Sequence, residues 1–290
     1  MKEYEIITAL ITPFKANGKI DIDSLINLID YQIKSGITSF VIFGTTGEGN
    51  TILLKQKIAV IKKIRKIFKN SIYLMCGISH NDTQSSINDI KLLSKYNIDS
   101  FLVLSPSYLK TNNEGIIKHF NSIADASKKP IYIYCVPKRT GQLIDPNIYQ
   151  ILKQHKNIQG VKIAVDSRKY FEKALHYQNT NFQVYSGEDL MFLDSLEMKT
   201  CGIISVASNA FPRLYKEIVN LYLTKKEDIA KKLFNEYKSL IEAFFLEPNP
   251  IPIKYFLSLN NIIELHYHLP LTYPSNEIMS LIKERYKEDI

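Results

Sequence analysis

Residues 131–164 read IYIYCVPKRTGQLIDPNIYQILKQHKNIQGVKIA, with two short apolar runs on either side of a polar stretch. Both runs, Ile131–Pro137 and Ile158–Ala164, are apolar at successive positions, as is typical of parallel strands that are buried on both faces. Between them, Asp145-Pro146 marks a helix start, because proline is favoured in the first helical turn. The segment therefore predicts a strand–helix–strand unit of an α/β fold.

The same alternation extends along the chain from residue 6 to about residue 223. The other apolar runs are Ile6–Phe14, Phe40–Gly44, Ile72–Gly77, Phe101–Pro106, Phe182–Gly187 and Gly202–Ser208. Amphipathic stretches between them predict helices such as Asp23–Ser35, Asp82–Tyr96, Glu114–Ser127 and Arg168–Tyr177. Eight strand–helix alternations in this length favour one closed (β/α)8 TIM barrel, and a doubly wound open sheet is the alternative.

After residue 224 the pattern becomes helical only. Lys225–Leu246 is predicted to be one helix, residues 247–252 (EPNPIP) to be a rigid connector, and further helices to follow to Ile290. The proline spacing is too short for a flexible interdomain linker. We therefore predict a barrel that carries the active site in residues 1–224 and a helical extension packed on it in residues 225–290.

The chain carries a formal net charge of +8, which raises the question of nucleic-acid binding. Only five of the basic residues are arginines, and the lysines are spread along helical segments. The densest cluster, Lys55–Lys69, alternates with isoleucines at the spacing of an amphipathic helix with a solvated outer face. We predict no nucleic-acid partner, and a positive field that attracts small anionic substrates.

Other features indicate a soluble, reduced protein. No apolar run reaches the roughly 18 residues that span a membrane. Met1–Tyr4 lead directly into a strand-like run, which leaves no room for a signal peptide, so we predict a cytoplasmic protein. The three cysteines are far apart and lie in or beside apolar runs, so neither a disulfide framework nor a zinc site is predicted.

The catalytic groups of a (β/α)8 barrel lie at the carboxyl ends of its strands. The second strand ends in a glycine turn, residues 44–49 (GTTGEG), whose hydroxyls and backbone N–H groups suit a carboxylate, although it could also be an ordinary turn. Arg139 follows the fifth strand, where its guanidinium could hold a carboxylate in two hydrogen bonds or could lie free on the surface.

Lys162 is the single lysine inside the apolar run of the sixth strand. An unpaired ammonium is costly in a barrel interior, and burial favours the neutral amine that attacks a keto group. The alternative is a lysine at a strand edge that extends to solvent. The position of Lys162 inside an apolar run favours the role of a nucleophile over that of a strand-edge lysine.

Five motifs occur in one order along the chain. They are Thr45-Thr46-Gly47-Glu48, Tyr134 with residues 136–141 (VPKRTG), Gly160-Val161-Lys162, Ser186-Gly187-Glu188-Asp189, and residues 247–254 (EPNPIPIK), with Tyr108 between the first two. In this order they resemble the dihydrodipicolinate synthase/N-acetylneuraminate lyase family, from about Ile7 to beyond Lys254. That family has the (β/α)8 fold and needs no metal or redox cofactor.

The resemblance implies a role for each matching residue. Lys162 matches the lysine that forms a Schiff base with pyruvate, and Tyr134 matches the general acid/base beside it. Thr45 and Tyr108 complete a proton relay, with Tyr108 reaching across a dimer interface. A homotetramer built as a dimer of dimers is the implied assembly.

Substrate recognition is implied by three further matches. Thr46 and the backbone at Ile204 correspond to positions that hold the pyruvate carboxylate. Arg139 corresponds to the residue by which the synthase branch binds the carboxylate of aspartate semialdehyde, and the sialic acid lyases usually lack it. We therefore predict a lyase of diaminopimelate and lysine synthesis. A sister aldolase that acts on a sugar-derived 2-keto acid and a non-catalytic binding module are the alternatives.

The resemblance also concerns inhibition by free lysine. The matching positions for the lysine site of regulated relatives are Leu54 or Lys57, Ser85 and Ser107, with Asn81 alone similar. Serines cannot supply the glutamate counter-charge or the tyrosine contact of those relatives. Weak or absent inhibition by lysine is therefore predicted.

Overall fold

The computed structural model describes residues 4–289, with side chains described for residues 4–286. Eight parallel strands close into a barrel in sequence order, and the last strand pairs with the first. The strands are β1 (Glu5–Ala9), β2 (Ser39–Ile42), β3 (Tyr73–Ile78), β4 (Ser100–Leu104), β5 (Ile131–Cys135), β6 (Ile158–Ile163), β7 (Gln183–Ser186) and β8 (Gly202–Ser205). The predicted (β/α)8 barrel is confirmed, and the alternative of an open sheet is wrong.

The helices alternate with the strands, and aspartate side chains cap the starts of two of them. Asp21 accepts a hydrogen bond from the backbone N–H of Ser24, and Asp82 accepts one from that of Ser85. Within residues 4–289 the α-helices are α1 (Ile22–Lys34), α2 (Leu54–Phe68), α3 (Thr83–Leu93), α4 (Asn113–Ala126), α5 (Pro137–Thr140), α6 (Tyr149–Leu152), α7 (Arg168–Leu175), α8 (Phe192–Glu197), α9 (Pro212–Leu223), α10 (Glu227–Ala243), α11 (Ile251–Leu259) and α12 (Asn276–Asp289).

Three local predictions differ from the structure. The first apolar run is longer than its strand: β1 ends at Ala9, and the backbone N–H of Ile11 donates to Oδ1 of Asn209 instead of to a neighbouring strand. The helix predicted at Asp145-Pro146 is a 3₁₀ turn followed by the one-turn helix α6. The predicted connector ends at Pro250, because Pro252 lies in the first turn of α11, where its missing N–H costs nothing.

Side chains of alternate residues face opposite sides of each strand. Tyr132 and Tyr134 belong to an apolar cluster inside the barrel, whereas Ile133 belongs to the cluster between the strands and the helices. The hydroxyl of Tyr132 donates to Oε1 of Gln183 at 2.8 Å. The two tyrosines therefore share the inner face of the barrel, and the inward hydroxyl of Tyr132 has a polar partner.

The region after the barrel is helical. Helix α10 packs against α9 and α12, and α11 packs against α12. The division at residue 224 stays a prediction. All three cysteines are free thiols. Within the described part of the chain, no helix is both long and apolar enough to cross a membrane. The absence of a signal peptide was predicted from a segment that includes Met1–Glu3, and these residues lie outside the described part of the chain. Ile290, where the predicted C-terminal helices end, also lies outside it.

Candidate active site

Lys162 lies on β6 at the carboxyl end of the barrel and is only 4% exposed. It is the register partner of Tyr134 on β5, and its Nζ lies 4.5 Å from the centroid of the Tyr134 ring. Gly187, after β7, leaves room for it, because a Cβ there would lie 2.6 Å from Cε of Lys162. The amine is therefore buried and tightly enclosed beside an aromatic ring.

Lys162 lines a cavity of about 450 Å³. Its lining includes Thr46, Tyr134, Arg139, Lys162 and Asn249. Four residues that the sequence singled out, from β2, β5 and β6 and the segments that follow them, therefore meet at one place. A cavity of this size fits substrates of a few carbon atoms.

Thr46 is buried, and its Oγ1 accepts a hydrogen bond of 2.9 Å from Nδ2 of Asn249. Thr45 lines a second cavity of about 250 Å³. Arg139 and Asn249 border both cavities, so the two are neighbours. The structure thus brings Thr45 close to the site without placing it beside Lys162.

Arg139 lies on the short helix α5 with its side chain exposed. Its Nη2 donates to the backbone carbonyl of Asn249 at 2.8 Å, which turns the guanidinium toward the cavity mouth. A guanidinium has five N–H donors, so most of them stay available to an anionic ligand. Arg139 is thus exposed at the surface and also lines the cavity, and its role in binding a carboxylate stays a prediction.

Two predicted residues stand apart from the cavity within one chain. Tyr108 is 89% exposed and has a left-handed backbone with φ of 68°. Ile204 is fully buried in the cluster inside the barrel and pairs with Ile7 of β1. A single chain therefore does not bring Tyr108 to Lys162, and the role of the backbone at Ile204 stays a prediction.

Glu188 and Asp189, the two acidic residues after β7, shape the site more than the sequence suggested. Asp189 is buried and accepts hydrogen bonds from the hydroxyl of Tyr215 at 2.6 Å and from the backbone N–H of Val206 at 2.9 Å, and also from Ser205. Burial raises the pKa of Asp189, and these donors oppose that rise. Its carboxylate fixes the loop after β8, one wall of the cavity.

Glu188 lines the same cavity, together with the charged residues Lys138 and Arg139. Burial raises the pKa of Glu188, and the nearby charge of Lys138 partly opposes that rise. Two adjacent acidic residues after a buried strand were the sequence signal for this pair. Among the described side chains, no group of three or more His, Cys, Asp or Glu residues is arranged to hold a metal ion.

The fold and the cavity define a (β/α)8 barrel in which a buried lysine lines a cavity at the carboxyl ends of the strands. The model of the dihydrodipicolinate synthetase family matches residues 2–288. A 4-hydroxy-tetrahydrodipicolinate synthase from Chlorobium phaeobacteroides is 34% identical over 277 residues, which cover 95% of this chain and 94% of that protein. One from Helicobacter pylori is 33% identical over 295 residues, covering 99% and 98%.

Solved structures agree with these sequence matches. The dihydrodipicolinate synthase of Thermotoga maritima superposes with a TM-score of 0.95 at 29% identity, covering 100% of this chain and 99% of that one. The 4-hydroxy-tetrahydrodipicolinate synthase of Methylacidiphilum fumariolicum gives 0.94 at 31% identity, covering 99% and 95%. The chain belongs to the dihydrodipicolinate synthetase family, and the resemblance predicted from its motifs is confirmed.

Proposed function

We propose that the protein is a lyase that condenses pyruvate with L-aspartate 4-semialdehyde through a Schiff base on Lys162. The product is 4-hydroxy-tetrahydrodipicolinate, in diaminopimelate and lysine biosynthesis. The observation that carries the proposal is the buried Lys162 beneath Tyr134, in one cavity with Thr46 and Arg139. The family membership and the activity named for its relatives support it.

The reaction begins when the neutral amine of Lys162 adds to the ketone carbon of pyruvate. Loss of water from the adduct gives an imine, which accepts electrons when the methyl group of pyruvate loses a proton. The resulting enamine is the carbon nucleophile. Tyr134, whose ring lies against the amine, is placed to pass protons in these steps, with Thr45 and a partner subunit's Tyr108 completing the relay.

The second substrate enters from the rim of the cavity. The enamine carbon bonds to the aldehyde carbon of aspartate semialdehyde, whose oxygen takes up a proton. The substrate amine then attacks the imine carbon, closes the ring and displaces the amine of Lys162. Thr46 and the backbone at Ile204 hold the pyruvate carboxylate, and Arg139 holds that of the aldehyde.

We extend the proposal to the assembly and the compartment. Tyr108 and its neighbour Leu109, 61% exposed, form an apolar surface that packing against a second subunit would cover. The proposed assembly is a homotetramer built as a dimer of dimers, in which Tyr108 serves the neighbouring site. The proposed location is the cytoplasm.

The test is an assay with purified protein, pyruvate and aspartate semialdehyde, in which consumption of the product by a reductase is followed through its nicotinamide cofactor. Turnover with this aldehyde is expected, and none with sugar-derived 2-keto acids. Cleavage of N-acetylneuraminate or 2-keto-3-deoxygluconate, without use of aspartate semialdehyde, would identify the sister aldolase instead. An inert protein that binds pyruvate without an imine would be the binding module.

A further inference from the structure

A fully buried ion pair joins the turn after β2 to the region that follows the barrel. Nζ of Lys254, on α11, lies 2.5 Å from Oε1 of Glu48, and both side chains have no solvent exposure. The other carboxylate oxygen of Glu48 accepts a hydrogen bond of 3.1 Å from the backbone N–H of His268. The amine also lies over the rings of Phe14 and Tyr267, at 4.4 and 4.9 Å. We name Glu48 and Lys254 the anchor pair.

The anchor pair is not explained by stability alone. Taking two charges out of water costs several kcal/mol per ion, so an apolar pair of similar volume is often as stable. Burial lowers the pKa of Lys254, and Glu48 opposes that fall. What an ion pair adds is a fixed geometry, since any other arrangement leaves a buried charge without a partner.

That geometry acts on a turn that is tightly enclosed. Glu48 has a left-handed backbone with φ of 51°, uncommon for a residue with a side chain, so its surroundings must hold it there. Beside it, a Cβ at Gly49 would lie 1.8 Å from the carbonyl oxygen of Phe43, so the turn packs directly on the residue that follows β2. The side chain of Glu48 is held in turn by Lys254, its partner in the anchor pair. Thr46, two residues earlier, is buried in the same enclosed turn.

A second link joins the same two segments. Asn249, five residues before Lys254, donates from Nδ2 to Oγ1 of Thr46, and its carbonyl accepts from Arg139. The region after the barrel therefore contacts the turn at two residues, Thr46 through a hydrogen bond and Glu48 through an ion pair. The hydroxyl of Thr46 accepts the Asn249 hydrogen bond, which directs its own hydrogen elsewhere, toward a ligand in the cavity.

We infer that the anchor pair is a positioning device that fixes the Thr45–Thr46 turn where it receives the carboxylate of pyruvate. The inference rests on the proposed function, because it assigns the turn to pyruvate. Glu48 and Lys254 touch no substrate in this account and act through Thr46. Their loss should weaken the binding of pyruvate before it affects the aldehyde, which Arg139 holds at the rim.

The experiment compares variants that separate position from stability. Lys254→Met should lower the melting temperature and raise KM for pyruvate by about tenfold, the loss of one well-placed hydrogen bond to a charged group. Glu48→Gln combined with Lys254→Met removes the unpaired carboxylate and should regain most of the melting temperature. KM for pyruvate should stay raised, with KM for the aldehyde within about threefold of normal.

A shorter acid provides a second variant in case the double variant fails to fold. Glu48→Asp keeps the charge but is one methylene shorter, so the turn must shift to restore the pair. It should raise KM for pyruvate and slow borohydride trapping of the imine. The control is Arg65→Met, which breaks a partly buried ion pair with Asp99 at the amino ends of β3 and β4, the end of the barrel opposite the cavity. It should lower the melting temperature without changing either KM.

The outcomes separate the two claims. Recovery of both the melting temperature and KM for pyruvate in the double variant would make the anchor pair purely structural. Normal pyruvate kinetics in Glu48→Asp, or equal losses for both substrates, would also overturn the inference. Wild-type protein that traps no pyruvate would instead overturn the proposed function.

Discussion

Arg139 gives the most quantitative prediction for substrate choice. One N–H of its guanidinium is occupied by the carbonyl of Asn249 at 2.8 Å, and four donors stay available. A hydrogen bond to a charged group contributes about 1.5–3 kcal/mol, and the exposure of this side chain places the value toward the lower end. We expect Arg139→Ala to lose about 2 kcal/mol, a fall of roughly thirtyfold in kcat/KM for aspartate semialdehyde.

The assay varies each substrate at a fixed concentration of the other and measures the rate of imine trapping separately. Pyruvate trapping should stay nearly normal in Arg139→Ala, because this step precedes the aldehyde. Arg139→Lys should be intermediate, since an ammonium keeps the charge and loses the two-pronged geometry. The matched control is Lys138→Ala, the neighbouring exposed cation on the same cavity, with at most a threefold expected change. An unchanged kcat/KM for the aldehyde in Arg139→Ala would refute the reasoning.

Three further predictions concern the subunit interface, pH and lysine. Tyr108→Phe should reduce turnover at least a hundredfold, and mixing it with inactive Lys162→Ala should restore part of the activity; no rescue after demonstrated subunit exchange would argue against a shared site. Burial lowers the pKa of His119 to about 4 from its usual 6.5. Between pH 6.5 and pH 4, His119 is therefore protonated in the unfolded chain but not in the folded one. The free energy of unfolding should fall by up to roughly 3 kcal/mol as the pH is lowered through this range. Urea unfolding at several pH values should show this slope reduced in His119→Gln, and an equal slope would exclude the group. Free lysine should inhibit weakly, because serines stand at positions 85 and 107; half-inhibition below about 1 mM at sub-saturating pyruvate would contradict this.

The barrel could be predicted from sequence because its signal is local and repeated. Each strand is a short run of apolar residues, and the inward and outward faces of β5 follow from alternation alone. Lys162 was visible for the same reason, as one charged residue in such a run. The places of Tyr134 and Arg139 then followed from the rule that barrel sites lie at strand ends.

What escaped prediction depends on pairs of residues distant in sequence. The hydrogen bond between Thr46 and Asn249 and the ion pair between Glu48 and Lys254 each span more than two hundred residues. No periodicity reveals such a contact, and a lone glutamate in a glycine turn gives no sign of its partner. The shortened helix at Asp145 escaped for another reason: a cap signal marks where a helix starts, not how long it continues.

The most direct test of the account is reduction with borohydride in the presence of pyruvate, followed by mass spectrometry of the digested protein. The account predicts one pyruvate-derived adduct per chain, on the peptide that contains Lys162, and none in Lys162→Ala. It also predicts that this peptide stays labelled in Arg139→Ala, whose defect lies in the later step. An adduct that persists in Lys162→Ala, or active wild-type protein that cannot be trapped, would contradict the central claim.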